Sequence, residues 1–117
     1  MKIAIGQINT TVGALRANTD KIKEVQQKAK EAKADLVIFP ELTITGYPPM
    51  DLLDQKRLID LNLQYLEEIA HNSQGITTLV GFVDWNKDKE GKSLFNGAAL
   101  LRDGKIISKH FKSLLPT

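Results

Sequence analysis

The chain has no cysteine among its 117 residues. This absence excludes a disulfide framework, a thiolate metal site and a cysteine nucleophile within these residues. No apolar run approaches the roughly 18 residues that cross a bilayer, and the first residues lack the pattern of a signal peptide. The formal net charge is only +2. We therefore expect neither a membrane nor nucleic acid as a partner.

Motifs for phosphates and metals are also missing. The sequence contains no glycine-rich nucleotide-binding loop of either common type. Oxygen-bearing side chains alternate as in a calcium loop, at Asp84, Asn86, Asp88 and Glu90, but Lys89 stands where that loop requires glycine. His71 and His110 have no neighbouring ligands at helical or hairpin spacing. We expect no metal and no cofactor in this segment.

The first part of the chain predicts a βαβ unit. Isoleucines at positions 3, 5 and 8 predict an opening strand, and apolar residues at helical spacing predict a helix from about 18 to 33 with Asn18 as its N-cap. The apolar run in 34–39 predicts a strand that is covered on both faces. This order of elements indicates a single α/β domain over 1–117, with these two strands parallel.

The second part predicts another helix and three more strands. The helix spans about 55–72, and the strands span 76–83, 94–101 and 105–111. Asp103-Gly104 between the last two apolar runs predicts a hairpin. For Asn96-Gly97 we expect a bulge or a close backbone contact rather than a turn.

Two residues at predicted strand ends could take part in catalysis. Glu41 directly follows a buried strand and Pro40, and partial desolvation there would raise its pKa toward the range of a general base. Lys112 ends the last strand and could stabilise an oxyanion. On the residues alone, an ordinary charge that meets solvent is the favoured interpretation of each, more strongly for Lys112 than for Glu41. The catalytic interpretation requires that both strand ends open into one cleft.

A longer motif carries a family resemblance. The sequence FPELTITGYPPMDLL at 39–53 resembles the signature that follows the second strand in the nitrilase superfamily of carbon-nitrogen hydrolases. More narrowly, TGYPP followed by DLL is similar to the amino-terminal glutaminase domain of glutamine-dependent NAD synthetases. The opening IGQIN, the strand with Asn96, the Asp103-Gly104 hairpin and the closing Lys112-x-x-Leu-Pro follow in the family's order.

The resemblance implies a fold and a catalytic triad. The fold would be part of a four-layer α-β-β-α sandwich, and the triad would be Glu-Lys-Cys. By motif, Glu41 matches the general base, Lys112 the catalytic lysine, and Tyr47 a residue that lines the glutamine pocket. In the family the cysteine follows the Lys-x-x-Leu-Pro block, so we expect these 117 residues to be the first part of a longer protein and to be inactive by themselves.

The resemblance also implies the wider context. We expect glutamine as substrate, a missing carboxyl-terminal polypeptide, a synthetase domain outside this chain that uses ATP and Mg²⁺, a homo-oligomer and a cytoplasmic location. Two alternatives stay open, namely a stand-alone amidase of the nitrilase type and a non-catalytic α/β binding module.

Overall fold

The computed structural model describes residues 1–8, 14–40, 44, 52–85 and 94–113, with the backbone alone at 52–56, 58, 85, 94–96 and 111–113. These residues form two helices and five strands. In chain order they are β1 (Ile3–Ile5), α1 (Leu15–Glu31), β2 (Leu36–Ile38), α2 (Leu52–His71), β3 (Thr77–Trp85), β4 (Leu94–Arg102) and β5 (Lys105–Ser113).

The strands form one sheet in the order of the sequence, β1-β2-β3-β4-β5. The pairs β1–β2 and β2–β3 are parallel, which confirms the predicted βαβ unit, whereas β3–β4 and β4–β5 are antiparallel. Both helices cover the same face, because the buried side chains of α1, α2 and the sheet belong to one hydrophobic cluster. The described residues thus build two layers, helices over a mixed sheet.

The start of α1 differs from the prediction. The helix begins at Leu15, and Ala14 occupies the N-cap position without a side-chain hydrogen bond. Asn18 lies within the first turn, where its backbone N–H donates to the carbonyl of Ala14 (2.9 Å). The prediction of Asn18 as N-cap was therefore wrong: its side chain is fully buried and donates to the carbonyl of Ile44 (2.9 Å).

The inner face of α1 carries more polar residues than its apolar pattern predicts. Leu15, Ile22 and Ala29 are buried as expected, but Ala32 is exposed. Gln26 is fully buried, although it was not part of the predicted apolar pattern, and its amide nitrogen donates to Oγ1 of Thr78 (2.9 Å). A buried amide is tolerated here because its hydrogen bonds are satisfied within the protein.

The β4–β5 hairpin forms as predicted. Asp103 and Gly104 both have positive φ, 54° and 78° respectively, as a two-residue turn of this kind requires. The irregularity of the ladder lies between Leu100 and Leu101, so a bulge at Asn96-Gly97 is wrong. The expected close contact is present, since a Cβ on Gly97 would lie 2.8 Å from the ring of Phe82.

The second face of the sheet has no layer over it among the described residues. One row of paired residues crosses this face: Ile5, Ile38, Leu79 and Leu100. Ile5 is 70% exposed and Ile3, on the same side of β1, is 51% exposed. Neither α1 nor α2, as far as they are described, combines the length and apolar character of a membrane span.

Candidate active site at the carboxyl edge of the sheet

The carboxyl ends of four strands lie at the same edge of the sheet. β1, β2 and β3 are parallel, and β5 runs in the same direction because two successive antiparallel pairings separate it from β3. Open α/β sheets carry their chemistry at this edge. The predicted site residues Glu41 and Lys112 both belong to chain segments at this edge, since one follows β2 and the other lies near the end of β5.

The register of the strands gives the positions of Ile38 and Lys112 along the sheet. One row of paired residues crosses β2 to β5: Ile38, Leu79, Leu100 and Ser108. Glu41 comes three residues after Ile38, and Lys112 comes four residues after Ser108. The backbone of Lys112 therefore lies beyond this row toward the carboxyl edge, and Glu41 follows β2 in the sequence.

Laterally the two segments are not neighbours. With β3 and β4 between them, β2 and β5 are separated by three strand spacings, or about 14 Å. The backbone of Lys112 pairs with that of Asn96, while Glu41 and Tyr47 lie outside the described residues. The convergence of the three side chains on one cleft stays a prediction.

The segment that contains Glu41 is anchored on both sides. Phe39 is 5% exposed before it and Ile44 is fully buried after it, so both belong to the core. The carbonyl of Ile44 accepts the hydrogen bond from Asn18 of α1 described above. The described residues on either side of positions 41–43 are thus both buried in the core.

Glycine at position 6 permits close packing at the end of β1. Its N–H donates to the carbonyl of Ile38 (2.8 Å), which continues the β1–β2 ladder. A Cβ at Gly6 would lie 2.5 Å from Cε1 of Phe39, closer than any ordinary contact between carbons. The absence of a side chain at Gly6 therefore leaves the space that the ring of Phe39 occupies.

Asn62 of α2 is a functional candidate that sequence analysis missed. Its side chain is fully buried; Oδ1 accepts from the N–H of Val83 (3.0 Å), and Nδ2 donates to the carbonyl of Val83 (2.8 Å). A signal was present, because Asn62 interrupts an apolar stripe that contains Ile59, Leu66 and Ile69. A polar residue within such a stripe indicates a specific buried hydrogen bond.

Charged side chains form a network between the two helices. The carboxylate of Glu68 accepts from Nζ of Lys23 (2.9 Å) and from Nη1 of Arg16 (3.0 Å), and Arg16 also pairs with Asp20. The hydrogen bond from Lys23, followed by that from Arg16, lowers the pKa of Glu68. These charges compensate each other on the surface, which is typical of a structural network. No group of three metal-ligating side chains occurs in the described part of the chain.

Comparison with known proteins identifies the family. The carbon-nitrogen hydrolase family model matches residues 2–117. The chain belongs to the carbon-nitrogen hydrolase family. A glutamine-dependent NAD(+) synthetase from Xanthomonas campestris pv. campestris is 39% identical over 117 residues, which cover 99% of this chain and 20% of that protein. The chain thus spans about a fifth of the length of the curated relatives it matches.

Solved structures extend the comparison to the fold. A glutamine-dependent NAD+ synthetase from Acinetobacter baumannii matches with a TM-score of 0.75 and 32% identity, covering 97% of this chain and 21% of that one. An amidase of the nitrilase superfamily from Nesterenkonia AN1, solved as a mutant, matches in fold with a TM-score of 0.74 and 24% identity, covering 100% of this chain and 45% of that one. The predicted α/β class and the resemblance to carbon-nitrogen hydrolases are confirmed.

Proposed function

We propose that this chain is part of the glutamine-hydrolysing domain of a glutamine-dependent NAD synthetase. The observation that carries the proposal is the similarity to such synthetases over 98–99% of the chain. The proposal includes a parent polypeptide that continues beyond Thr117 and supplies the nucleophilic cysteine, since the 117 residues contain none. The ammonia released from glutamine would serve a synthetase domain in the same parent.

The open face of the sheet supports this larger assembly. Ile5, Ile38 and Leu79 lie in one row on the face opposite the helices, and Ile5 is largely exposed. Apolar sheet faces of this kind are stabilised when a second sheet packs on them at about 10 Å. In the proposed α-β-β-α sandwich, the two described layers form one half, and the parent polypeptide forms the other.

The proposed chemistry begins with proton transfer. Glu41 removes the proton from the cysteine thiol of the parent, and the thiolate attacks the carboxamide carbon of glutamine. The carbonyl π electrons move to the oxygen, and the ammonium group of Lys112 stabilises the resulting oxyanion. Tyr47 lines the pocket that holds the glutamine. Positioning on strand ends suits this chemistry because the supporting sheet is rigid.

Collapse of the tetrahedral species completes the first half of the reaction. The carbon–oxygen double bond forms again, the carbon–nitrogen bond breaks, and the proton on Glu41 passes to the departing nitrogen as ammonia leaves. Water then attacks the glutamyl thioester, with Glu41 again accepting a proton. The carbon–oxygen double bond then forms again, the carbon–sulfur bond breaks and the proton returns to sulfur, which releases glutamate and the free thiol.

The remaining context is part of the same proposal. We expect no metal or cofactor to take part in glutamine hydrolysis; ATP and Mg²⁺ would be used by the synthetase domain. The homo-oligomeric state and the cytoplasmic location are predictions that follow from the family resemblance.

The proposal is tested on the parent polypeptide. Its sequence should contain a cysteine after the Lys112-x-x-Leu115-Pro116 block, and incubation with glutamine should release glutamate and ammonia in equal amounts. Replacement of that cysteine by alanine should abolish the release. A parent without a cysteine in that region, or one whose alanine variant releases ammonia at the original rate, would contradict the proposal. A parent with the cysteine but no synthetase domain would instead be a stand-alone amidase.

A further inference from the structure

We propose that Asn18 and Asn62 are positioning residues of the hydrolase site. Each is a fully buried asparagine whose side chain binds the backbone of another element: Asn18 binds Ile44, and Asn62 binds Val83 of β3. Asn18 holds the segment of Glu41, and Asn62 holds the strand next to the β4–β5 hairpin that carries Lys112. The inference rests on the proposed function, because it assigns roles relative to Glu41 and Lys112.

Asn18 acts on the segment that follows β2. Its Nδ2 donates to the carbonyl of Ile44 at 2.9 Å, and Ile44 is separated from Glu41 by two residues. Pro40 limits the backbone directly before Glu41 because its ring fixes φ. The hydrogen bond from Asn18 limits the other side. Positions 40 and 44, the described residues on either side of Glu41, are thus both restrained, and the inference is that this restraint extends to Glu41.

Asn62 acts on β3 where its pairing with β2 ends. The last paired residues of these strands are Ile38 and Leu79, and the N–H of Phe39 donates to the carbonyl of Leu79 (2.8 Å). Backbone groups of alternate residues point to the same side of a strand, so those of Val83 also point to the β2 side. Asn62 supplies the hydrogen-bonding partner on that side of Val83, because it binds both the N–H and the carbonyl of this residue.

The strand position held by Asn62 continues to Lys112 through the sheet. Val83 pairs with Asn96 of β4, and Asn96 pairs with Lys112 of β5. A backbone hydrogen-bonded on its β2 side by Asn62 and paired on its other side with β4 has little freedom to shift. The contact of Asn62 in α2 with Val83 therefore restrains the backbone of the paired row Val83, Asn96 and Lys112.

Packing alone does not require an amide at either position. Leucine has a similar size and would suit the apolar stripes of α1 and α2 better. Each asparagine also incurs a desolvation cost that its hydrogen bonds must offset. The amides are explained by the two backbone segments that they hold.

Gln26 provides a matched control. It is also fully buried on a helix and also binds β3, but it contacts Thr78 near the amino end of that strand, opposite the candidate site. Loss of its amide removes a buried hydrogen bond without affecting the segments of Glu41 or Lys112. A purely structural contribution would be shared by all three amides.

The test compares Asn18→Asp, Asn62→Asp and Gln26→Glu in the parent polypeptide. Each change keeps the size of the side chain and removes the donor nitrogen. If the introduced carboxylates prevent folding, the comparison is made instead with Asn18→Leu, Asn62→Leu and Gln26→Met. For each variant, kcat and KM for glutamine hydrolysis are measured beside the rate of NAD formation from ammonia. Amide hydrogen exchange at Val83 is measured in Asn62→Leu.

The expected result separates the asparagines from the control. The kcat for glutamine should fall about 10- to 100-fold in both asparagine variants, because a misplacement of about 1 Å in an active site has an effect of this size. KM and the ammonia-dependent rate should change little, and Gln26 variants should keep kcat even where their melting temperature falls equally. Exchange at Val83 should accelerate in Asn62→Leu.

Other results would overturn the inference. Equal effects of the asparagine and glutamine variants on kcat would leave the asparagines with a structural role only. Unaltered exchange at Val83 in Asn62→Leu would show that Asn62 does not restrain β3. Glu41→Gln and Lys112→Met are measured in parallel. If those two variants keep full glutamine hydrolysis, the proposed catalytic roles fail; if they lose it while the asparagine variants do not, the positioning inference alone fails.

Discussion

The backbone of Gly6 lies against the ring of Phe39 so closely that a Cβ would be 2.5 Å from Cε1 and 2.6 Å from Cδ1. This contact joins the end of β1 to the residue that precedes Pro40 and Glu41. Sequence analysis included Gly6 only as part of the opening motif. The structure gives it a physical role, since no other residue leaves space for the buried ring.

The first prediction concerns this contact. Gly6→Ala should destabilise the hydrolase domain by about 1–3 kcal/mol, because the added methyl group must displace a buried ring. The urea midpoint of the domain measures the effect. Phe39→Leu removes the ring, so the double variant should be more stable than the sum of the two single effects predicts. Strict additivity would show that the two residues do not compete for space.

A second prediction concerns the buried polar contact between α1 and β3. Gln26→Leu should lower the free energy of unfolding by about 1–3 kcal/mol, since it leaves the hydroxyl of Thr78 and the side-chain amide of Asn72 without the partner they have here. Adding Thr78→Val should recover part of the loss, because an apolar pair needs no hydrogen bond. Urea unfolding checks both. A double variant less stable than Gln26→Leu would contradict this account.

A third prediction concerns pH. Hydrogen bonds from Lys23 and then Arg16 lower the pKa of Glu68 in the folded protein. A lowered folded pKa adds stability above the unfolded pKa, about 4.3, and this stability is lost as pH falls through the folded value. Glu68→Gln should therefore reduce stability at pH 7 by about 0.2–1 kcal/mol, the range of solvent-screened pairs.

The difference between wild type and Glu68→Gln should shrink as pH falls below about 4. Urea midpoints measured across pH provide the test. Glu67→Gln, a change at the exposed neighbouring residue, is the control. A difference that is constant with pH, or one that grows in acid, would show that the charge of Glu68 is not responsible. High salt should reduce the difference at pH 7 because it screens surface charges.

Most of the fold could be predicted from sequence because hydrophobic periodicity and turn residues act locally. The elements and the Asp103-Gly104 hairpin were predicted, with helix boundaries displaced by up to three residues. Strand pairing of β1 with β2 followed from the intervening helix. The bulge at Leu100–Leu101 was missed because it depends on the register of two strands and leaves no mark in either sequence.

The buried polar residues explain what sequence analysis could not find. Asn18 was interpreted as a cap because asparagine is common there, yet its partner is Ile44, 26 residues away. Gln26 and Asn62 interrupt apolar stripes, but their partners in β3 are defined only by tertiary structure. The candidate site rested on motif resemblance, since neither Glu41 nor Lys112 stands out by local chemistry alone.

A fourth prediction concerns Lys112. In the parent polypeptide, Lys112→Met should lower kcat for glutamine hydrolysis about 10²- to 10³-fold with a smaller effect on KM, because an oxyanion is stabilised mainly in the transition state. Lys109→Met is the control, since Lys109 is an exposed lysine of the same strand. Steady-state kinetics with glutamine distinguish the two. A Lys112 variant that changes only KM would assign this residue to binding instead.

Glu41→Gln in the parent polypeptide tests the central claim most directly. NAD formation is measured with glutamine and then with ammonium as the nitrogen source. The account predicts that the glutamine-dependent rate falls at least about 10²-fold, the usual contribution of a general base, while the ammonium-dependent rate is retained. Equal loss with both nitrogen sources, or full activity with glutamine, would contradict the account.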